Sequence, residues 1–210
     1  MNLFLASSIN FVAQDVARQV FQLTKNHKLL FISTAAEGEE GDKSWLSEDR
    51  EKLVRAGFDI SDYSITGQNE SAIEEKLAKV GSICVSGGDT YYLLDQARKS
   101  GFDNVIEKHV QKGLIYIGAS AGSMLAGSDI STSLDNPVNT ANLTDYTGLG
   151  LTDVAICPHW GSEHMRERYH QEINRLYSHK QKIVLLNDQQ YLYVKDDWYQ
   201  IITVPIHLTP

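Results

Sequence analysis

Short apolar runs alternate with stretches in which apolar residues recur every three or four positions, almost from one end of the chain to the other. Leu3–Ala6 and Leu29–Ser33 read as buried strands, and between them Val12, Val16, Val20 and Leu23 follow the period of an amphipathic helix. Trp45, Leu46, Leu53 and Val54 predict a second helix that stops near Gly57. Ile73, Leu77 and Val80 predict a third, entered through Asn69 as N-cap. Ile83–Val85 is a buried strand closed by Gly87-Gly88, after which Asp89 is placed to cap a helix reaching about Ser100. Val105, Ile106 and Val110 mark a further helix before the strand Leu114–Ile117. The region Ser128–Gly150 breaks this rhythm, being rich in Ser, Thr, Asn and Asp, and loops of that length in a compact domain are usually functional or mobile. A strand ending near His159 follows, then a helix with Met165, Tyr169, Ile173 and Leu176 on one face, and a strand Ile183–Leu186. Tyr191–Val194 and Trp198–Val204, joined across Lys195-Asp196-Asp197, predict a terminal β-hairpin. Strands alternating with helices imply parallel pairing, right-handed crossovers and helices on both faces. The expected fold is α/β: one domain over residues 1–210, a three-layer open sheet, mostly parallel, ending in a hairpin.

Composition narrows the partners. With 19 Lys and Arg against 27 Asp and Glu, the net charge is −8, and no basic cluster offers the surface that counterion release from nucleic acid requires. Two cysteines, Cys84 and Cys157, exclude a disulfide-rich scaffold and a cysteine-based structural zinc site. The segment Met1–Ser7 lacks the basic start and apolar length of a signal peptide, and no apolar run reaches the 18 residues or so of a membrane span. The expectation is a cytoplasmic protein that binds neither nucleic acid nor membrane.

Candidate chemistry gathers where predicted strands end. Gly118-Ala119-Ser120-Ala121-Gly122 follows one strand and precedes the helical stretch Ser123–Ala126, the strand–turn–helix setting of a nucleophile elbow. A plain glycine-rich turn or a phosphate-binding loop is the alternative. Ser86-Gly87-Gly88-Asp89 closes another strand. Its glycines let backbone approach a substrate, and a bare N–H there together with that of Ala121 would form an oxyanion hole; the alternative is an ordinary helix start. Of seven histidines, His27, His109, His179 and His207 fall in helices, helix ends or the tail, whereas His159 closes the apolar run Val154–Pro158. His164 and His170 are weaker candidates for a base. His159, Glu163, His164 and His170 lack the HExxH spacing of a zinc peptidase, so no metal is expected. Cys157, beside His159, is a second conceivable nucleophile, though a buried strand thiol is the commoner case. Asp188 ends the run Ile183–Asn187 and offers the acceptor that orients a catalytic histidine; it also suits a simple turn. Asp153 is the rival acid.

The glycine pair followed by Asp89-Thr90 and Leu93-Leu94, the Gly118–Gly122 elbow, Cys157-Pro158-His159 and Arg166-Glu167, in this order, resemble the dipeptidase E (α-aspartyl dipeptidase) family of serine peptidases across most of the chain. The resemblance implies a flavodoxin-like, class I glutamine amidotransferase-like fold and a serine exopeptidase acting on short peptides, including those with N-terminal Asp, without a cofactor. It implies Ser120 as nucleophile, His159 as general base, Asp188 as the third member, and Gly88 and Ala121 as the oxyanion hole. Gly87, Asp89, Trp160 and Arg166 become candidate substrate contacts, Arg166 for an acidic side chain. The family usually carries Asn where Asp89 stands, and an added carboxylate there would oppose an acidic substrate. Two other functions stay open: an esterase or amidohydrolase using the same serine and histidine, and an inactive binding relative.

Overall fold

Each buried strand sorts its alternate side chains onto two faces, and that sorting builds the layers. The computed structural model describes residues 1–132, 139, 141–166, 169 and 182–205. Strands β1 (Asn2–Ala6), β2 (Lys28–Ile32), β3 (Asp59–Tyr63), β4 (Ser82–Val85) and β5 (Ile115–Ala119) form the parallel part of a seven-stranded sheet. The hairpin β8 (Gln190–Lys195) and β9 (Trp198–Thr203) extends it antiparallel, giving the order β3-β2-β4-β5-β1-β8-β9. Leu3, Leu5, Leu30, Ile32, Ile83, Val85 and Tyr116 face one core. Their neighbours Phe4, Ala6, Leu29, Phe31, Cys84, Ile115 and Ile117 face the other. Strands covered on both sides need apolar residues at consecutive positions, which is why they read as unbroken runs.

Helices α1 (Ile9–Leu23) and α3 (Ser44–Arg55) cover the second face through Val12, Val16, Val20 and Leu53. The first is covered by α4 (Glu70–Leu77), α5 (Thr90–Ser100), α6 (Phe102–Gln111) and α7 (Ala121–Ala126). The short α2 (Thr34–Glu37) follows β2 and contributes Ala35 to this core. Both predicted caps form: Asn69 accepts from the Ala72 N–H, and Asp89 accepts from the N–H groups of Tyr91 and Tyr92 at 2.9 and 3.0 Å.

Two features differ from the sequence reading. Strand β3 was not expected, because an edge strand need not be apolar: Asp59, Ser61 and Asp62 are exposed, and Asp62 takes both ends of the Arg50 guanidinium. The predicted strands around 154–159 and 183–186 pair with each other, as β6 (Val154–Cys157) and β7 (Lys182–Leu185), in a separate two-stranded parallel sheet. Of the helix expected from Met165 onward, Glu163–Met165 form a 3-10 turn, Arg166 and Tyr169 are helical, and Ile173 and Leu176 lie outside the described residues. The described part of the 128–150 region is tied down. Asp129 bridges Thr147, and Arg98 donates to the Asp145 carboxylate and to the Asp145 and Thr147 carbonyls. No helix among the described residues is long and apolar enough to cross a membrane.

The sheet positions the site by bringing the turn after β5 against β4 and β1. A Cβ on Gly122 would stand 2.1 Å from the Val85 carbonyl oxygen, so only glycine lets α7 start this close to β4. Gly122→Ala is therefore expected to lower stability by about 1–3 kcal/mol or more, since backbone rather than a flexible side chain must give way. Urea unfolding checks it, and a midpoint equal to that of the unchanged protein would show that β4 and α7 can separate freely.

Candidate active site

The carboxyl ends of β1, β4, β5 and β6 meet at one place, the position where open α/β sheets hold their ligands. Ser120 stands between β5 and α7 with φ 47° and ψ −109°, a conformation rare for a residue with a side chain. The surroundings impose it. Its N–H donates to the Ala6 carbonyl at 3.0 Å, the Ser123 hydroxyl donates to the same carbonyl at 2.7 Å, and the buried Tyr116 hydroxyl donates to the Gly122 carbonyl at 2.7 Å.

His159 follows β6 and also has a positive φ, 59°. Its Nε2 lies 3.0 Å from Ser120 Oγ, and its Nδ1 lies 2.6 Å from Asp188 Oδ1. Asp188 sits in a turn closed by Gln190 N–H to the Asn187 carbonyl and braced by the Asn187 and Gln190 side chains. The turn reading and the acceptor reading of Asp188 therefore hold together. Sequence reasoning passed over Ser7. Its buried hydroxyl accepts the His159 N–H at 2.7 Å and donates to Asp188 Oδ1 at 2.8 Å, linking the backbone of one partner to the side chain of the other. Its position at the end of β1, level with Ser120 and the glycine pair, was the available signal.

These groups open on a cavity of about 390 Å³, whose lining includes Ser7, Gly87, Gly88, Ser120 and His159. Gly87 approaches closely, since a Cβ there would meet Ser120 Cβ at 3.3 Å. Gly88 has φ 129° and packs its backbone against Ala35. Ala121 directly follows Ser120 and is buried. Three expected substrate contacts sit elsewhere. The Asp89 carboxylate is buried and turned onto the start of α5. Trp160 packs on Tyr169, ring centroids 4.6 Å apart, beside β6 and β7. Arg166 is exposed just after the 3-10 turn and does not line the cavity. Asp153 pairs with Lys182 on the surface, and Cys157 is buried in β6. The His164 and His170 side chains lie outside the described residues.

The chain resembles known proteins in sequence and in fold. The sequence model of Peptidase family S51 matches residues 3–202. The chain belongs to peptidase family S51. It is thus a serine-type peptidase of the dipeptidase E family, with peptides as substrates. The uncharacterized peptidase PM1590 of Pasteurella multocida is 34% identical over 160 residues, covering 75% of this chain and 76% of that protein. A peptidase E of Salmonella arizonae is 32% identical over 140 residues, 66% of this chain and 58% of its own. Among solved structures, a Listeria monocytogenes EGD-e protein superposes with a TM-score of 0.83 at 24% identity, over 97% of this chain and 98% of that one. A peptidase from an acI-B1 Actinobacterium gives 0.72 at 18% identity, over 97% and 87%.

Asp49 of this S51 peptidase also escaped the sequence reading, which took α3 only for its apolar positions. It lines the cavity with 8% of its surface exposed, and burial pushes its carboxyl up to about 7. The Asn10 backbone N–H and His159 pull the other way, and Glu48 adds to the rise. A carboxyl with a raised folded pKa leaves stability intact below its unfolded value near 3.8 and withdraws it as pH climbs to 7. Three units correspond to at most about 4 kcal/mol. Asp49→Asn, an uncharged replacement of the same shape, should therefore melt above the unchanged protein at pH 8 and beside it near pH 4. Thermal unfolding at the two pH values checks this, and an equal or lower melting temperature at pH 8 would contradict it.

Proposed function

We propose that this peptidase cleaves short peptides as an exopeptidase, through an acyl-enzyme on Ser120. The observation that carries this reading is the continuous chain from Ser120 Oγ to His159 Nε2 at 3.0 Å and from His159 Nδ1 to Asp188 Oδ1 at 2.6 Å. In the proposed reaction Ser120 Oγ attacks the peptide carbonyl while His159 Nε2 takes its proton, and the imidazolium then protonates the leaving amine. Water, deprotonated by the same nitrogen, attacks the acyl-enzyme and releases Ser120. Asp188 holds Nδ1–H and stabilises the imidazolium, and Ser7 holds Asp188 in place. The N–H groups of Gly88 and Ala121 receive the developing oxyanion. A cavity of about 390 Å³ lies at the small end of ligand pockets and suits a short peptide better than an extended chain.

Ser120→Ala should abolish hydrolysis of aminoacyl p-nitroanilides and dipeptides and prevent labelling by a fluorophosphonate, with the far-UV spectrum unchanged. Asp188→Asn should lower kcat by up to about 10⁴-fold, the loss that the same replacement produces in other Ser-His-Asp enzymes. Ser7→Ala should lower it by a smaller factor, because Asp188 keeps its contact with His159 Nδ1. Full turnover by Ser120→Ala would remove the nucleophile. Ester hydrolysis without cleavage of any peptide substrate would point to an esterase, and a folded protein inert to both substrate and probe would point to a binding role. A loss for Asp188→Asn within about tenfold, 1.4 kcal/mol of barrier, would reduce the proposed site to Ser120 and His159.

A further inference from the structure

Helix α3 turns two different faces to its surroundings. Leu46 and Leu53, seven positions apart, pack into the core that α1 shares with the sheet. Trp45 and Asp49, four apart, lie on another face and line the cavity around Ser120. Trp45 is half-buried and, among the described lining residues, is the one large apolar side chain. Gly87 shows where its ring stands. The Cβ that glycine omits would lie 3.3 Å from Ser120 Cβ and 3.7 Å from Trp45 Cζ3, so the nucleophile and the indole edge converge on one spot that the glycine keeps clear. An aromatic face open to water beside a nucleophile gains by being covered, and an apolar group of a substrate that reaches Ser120 is placed to cover it.

We propose that Trp45 forms the wall of a subsite for an apolar side chain, aliphatic or aromatic, on the substrate residue whose carbonyl Ser120 attacks. The proposal rests on the serine-peptidase reading above and names the substrate class for that site. In that reading the carbonyl oxygen is received at Gly88, the neighbour of Gly87, and the Cβ of the same residue is two bonds from the carbonyl carbon. That side chain therefore starts beside the spot that Ser120 and Trp45 share. The side chain of the leaving residue begins one bond further away, beyond the nitrogen that takes its proton from His159. A polar or acidic side chain would lose water against the indole face and gain no hydrogen bond from it.

Steady-state kinetics on two matched series locates the preference. The p-nitroanilides of Gly, Ala, Leu, Phe and Asp vary the acyl residue, and the dipeptides Ala-Gly, Ala-Leu and Ala-Phe vary the leaving one. The unchanged enzyme should favour the Leu and Phe anilides over the Gly anilide by about 10- to 100-fold in kcat/KM, the range for burying one such side chain. Trp45→Ala should collapse that ratio, and Trp45→Phe should keep most of it. Trp45→Gln keeps a long side chain on the helix and serves the same comparison should Trp45→Ala fail to fold. Equal kcat/KM across the anilides, a preference for Asp, an apolar preference confined to the dipeptides, or a loss of equal size on the Gly and Phe anilides in the Trp45 variants would each overturn the subsite. Calorimetry with Ser120→Ala reads the subsite without turnover: phenylalaninamide should bind more tightly than glycinamide, and adding Trp45→Gln should remove the difference. Equal affinities in Ser120→Ala itself would refute the proposal. An unchanged enzyme that hydrolyses the anilides and takes the fluorophosphonate without any apolar preference would leave the peptidase reading intact and remove the subsite. One that does neither, while its Ser120→Ala variant still selects phenylalaninamide, would remove the peptidase mechanism and leave the subsite standing.

Discussion

The backbone turn at Ser120 is the constraint on which the rest of the structure depends. A side-chain-bearing residue at φ 47° and ψ −109° is unfavourable by about 1–3 kcal/mol and persists only where its neighbours determine it. Here β1 supplies one carbonyl, that of Ala6, to both the Ser120 N–H and the Ser123 hydroxyl, and β5 supplies the Tyr116 hydroxyl to hold Gly122. Gly122 must lack a Cβ because Val85 of β4 occupies its place. The three adjacent strands therefore do more than carry the site: their register sets the turn. Leu5 and Val85 both pair with Gly118, which fixes the end of β5 between its neighbours.

From that turn the remaining geometry follows by short links between distant parts of the chain. Ser7 lies 152 residues from His159 and 181 from Asp188, yet one hydroxyl touches both. The small β6–β7 sheet delivers its own two partners, because Leu186 N–H donates to the Cys157 carbonyl and Trp160 N–H to the Leu186 carbonyl. His159 and Asp188 are thus linked through the small sheet, and Ser7 joins both to the end of β1. Electrostatics works against stability at the same place. Asp49 lines the same cavity, and burial of its carboxyl disfavours the charged form there.

Much of this was legible along the chain because it depends on local physics. Two-sided strands must be apolar at every position, helices must repeat every three or four residues, and caps need Asn or Asp at their starts, so β1, β2, β4, β5, α1, α3–α6 and the hairpin could all be read directly. Ser120 and His159 stood out for the same reason: glycines around a serine and a histidine after an apolar strand are local patterns. Strand β3 was hidden because its polar face needs no apolar signature. Asp89 and Trp160 looked like site residues because adjacency in sequence cannot say where a side chain turns. Tertiary structure directs the first to a helix start and the second to Tyr169. Ser7 has only its place at the end of an apolar strand as a mark, and Asp49 has none. Their significance comes from long-range packing, which places a hydroxyl between two residues more than 150 positions away and encloses a carboxyl that would be solvated on an isolated helix. Hydrogen bonding and desolvation depend on neighbours in space, and only the folded chain supplies those neighbours.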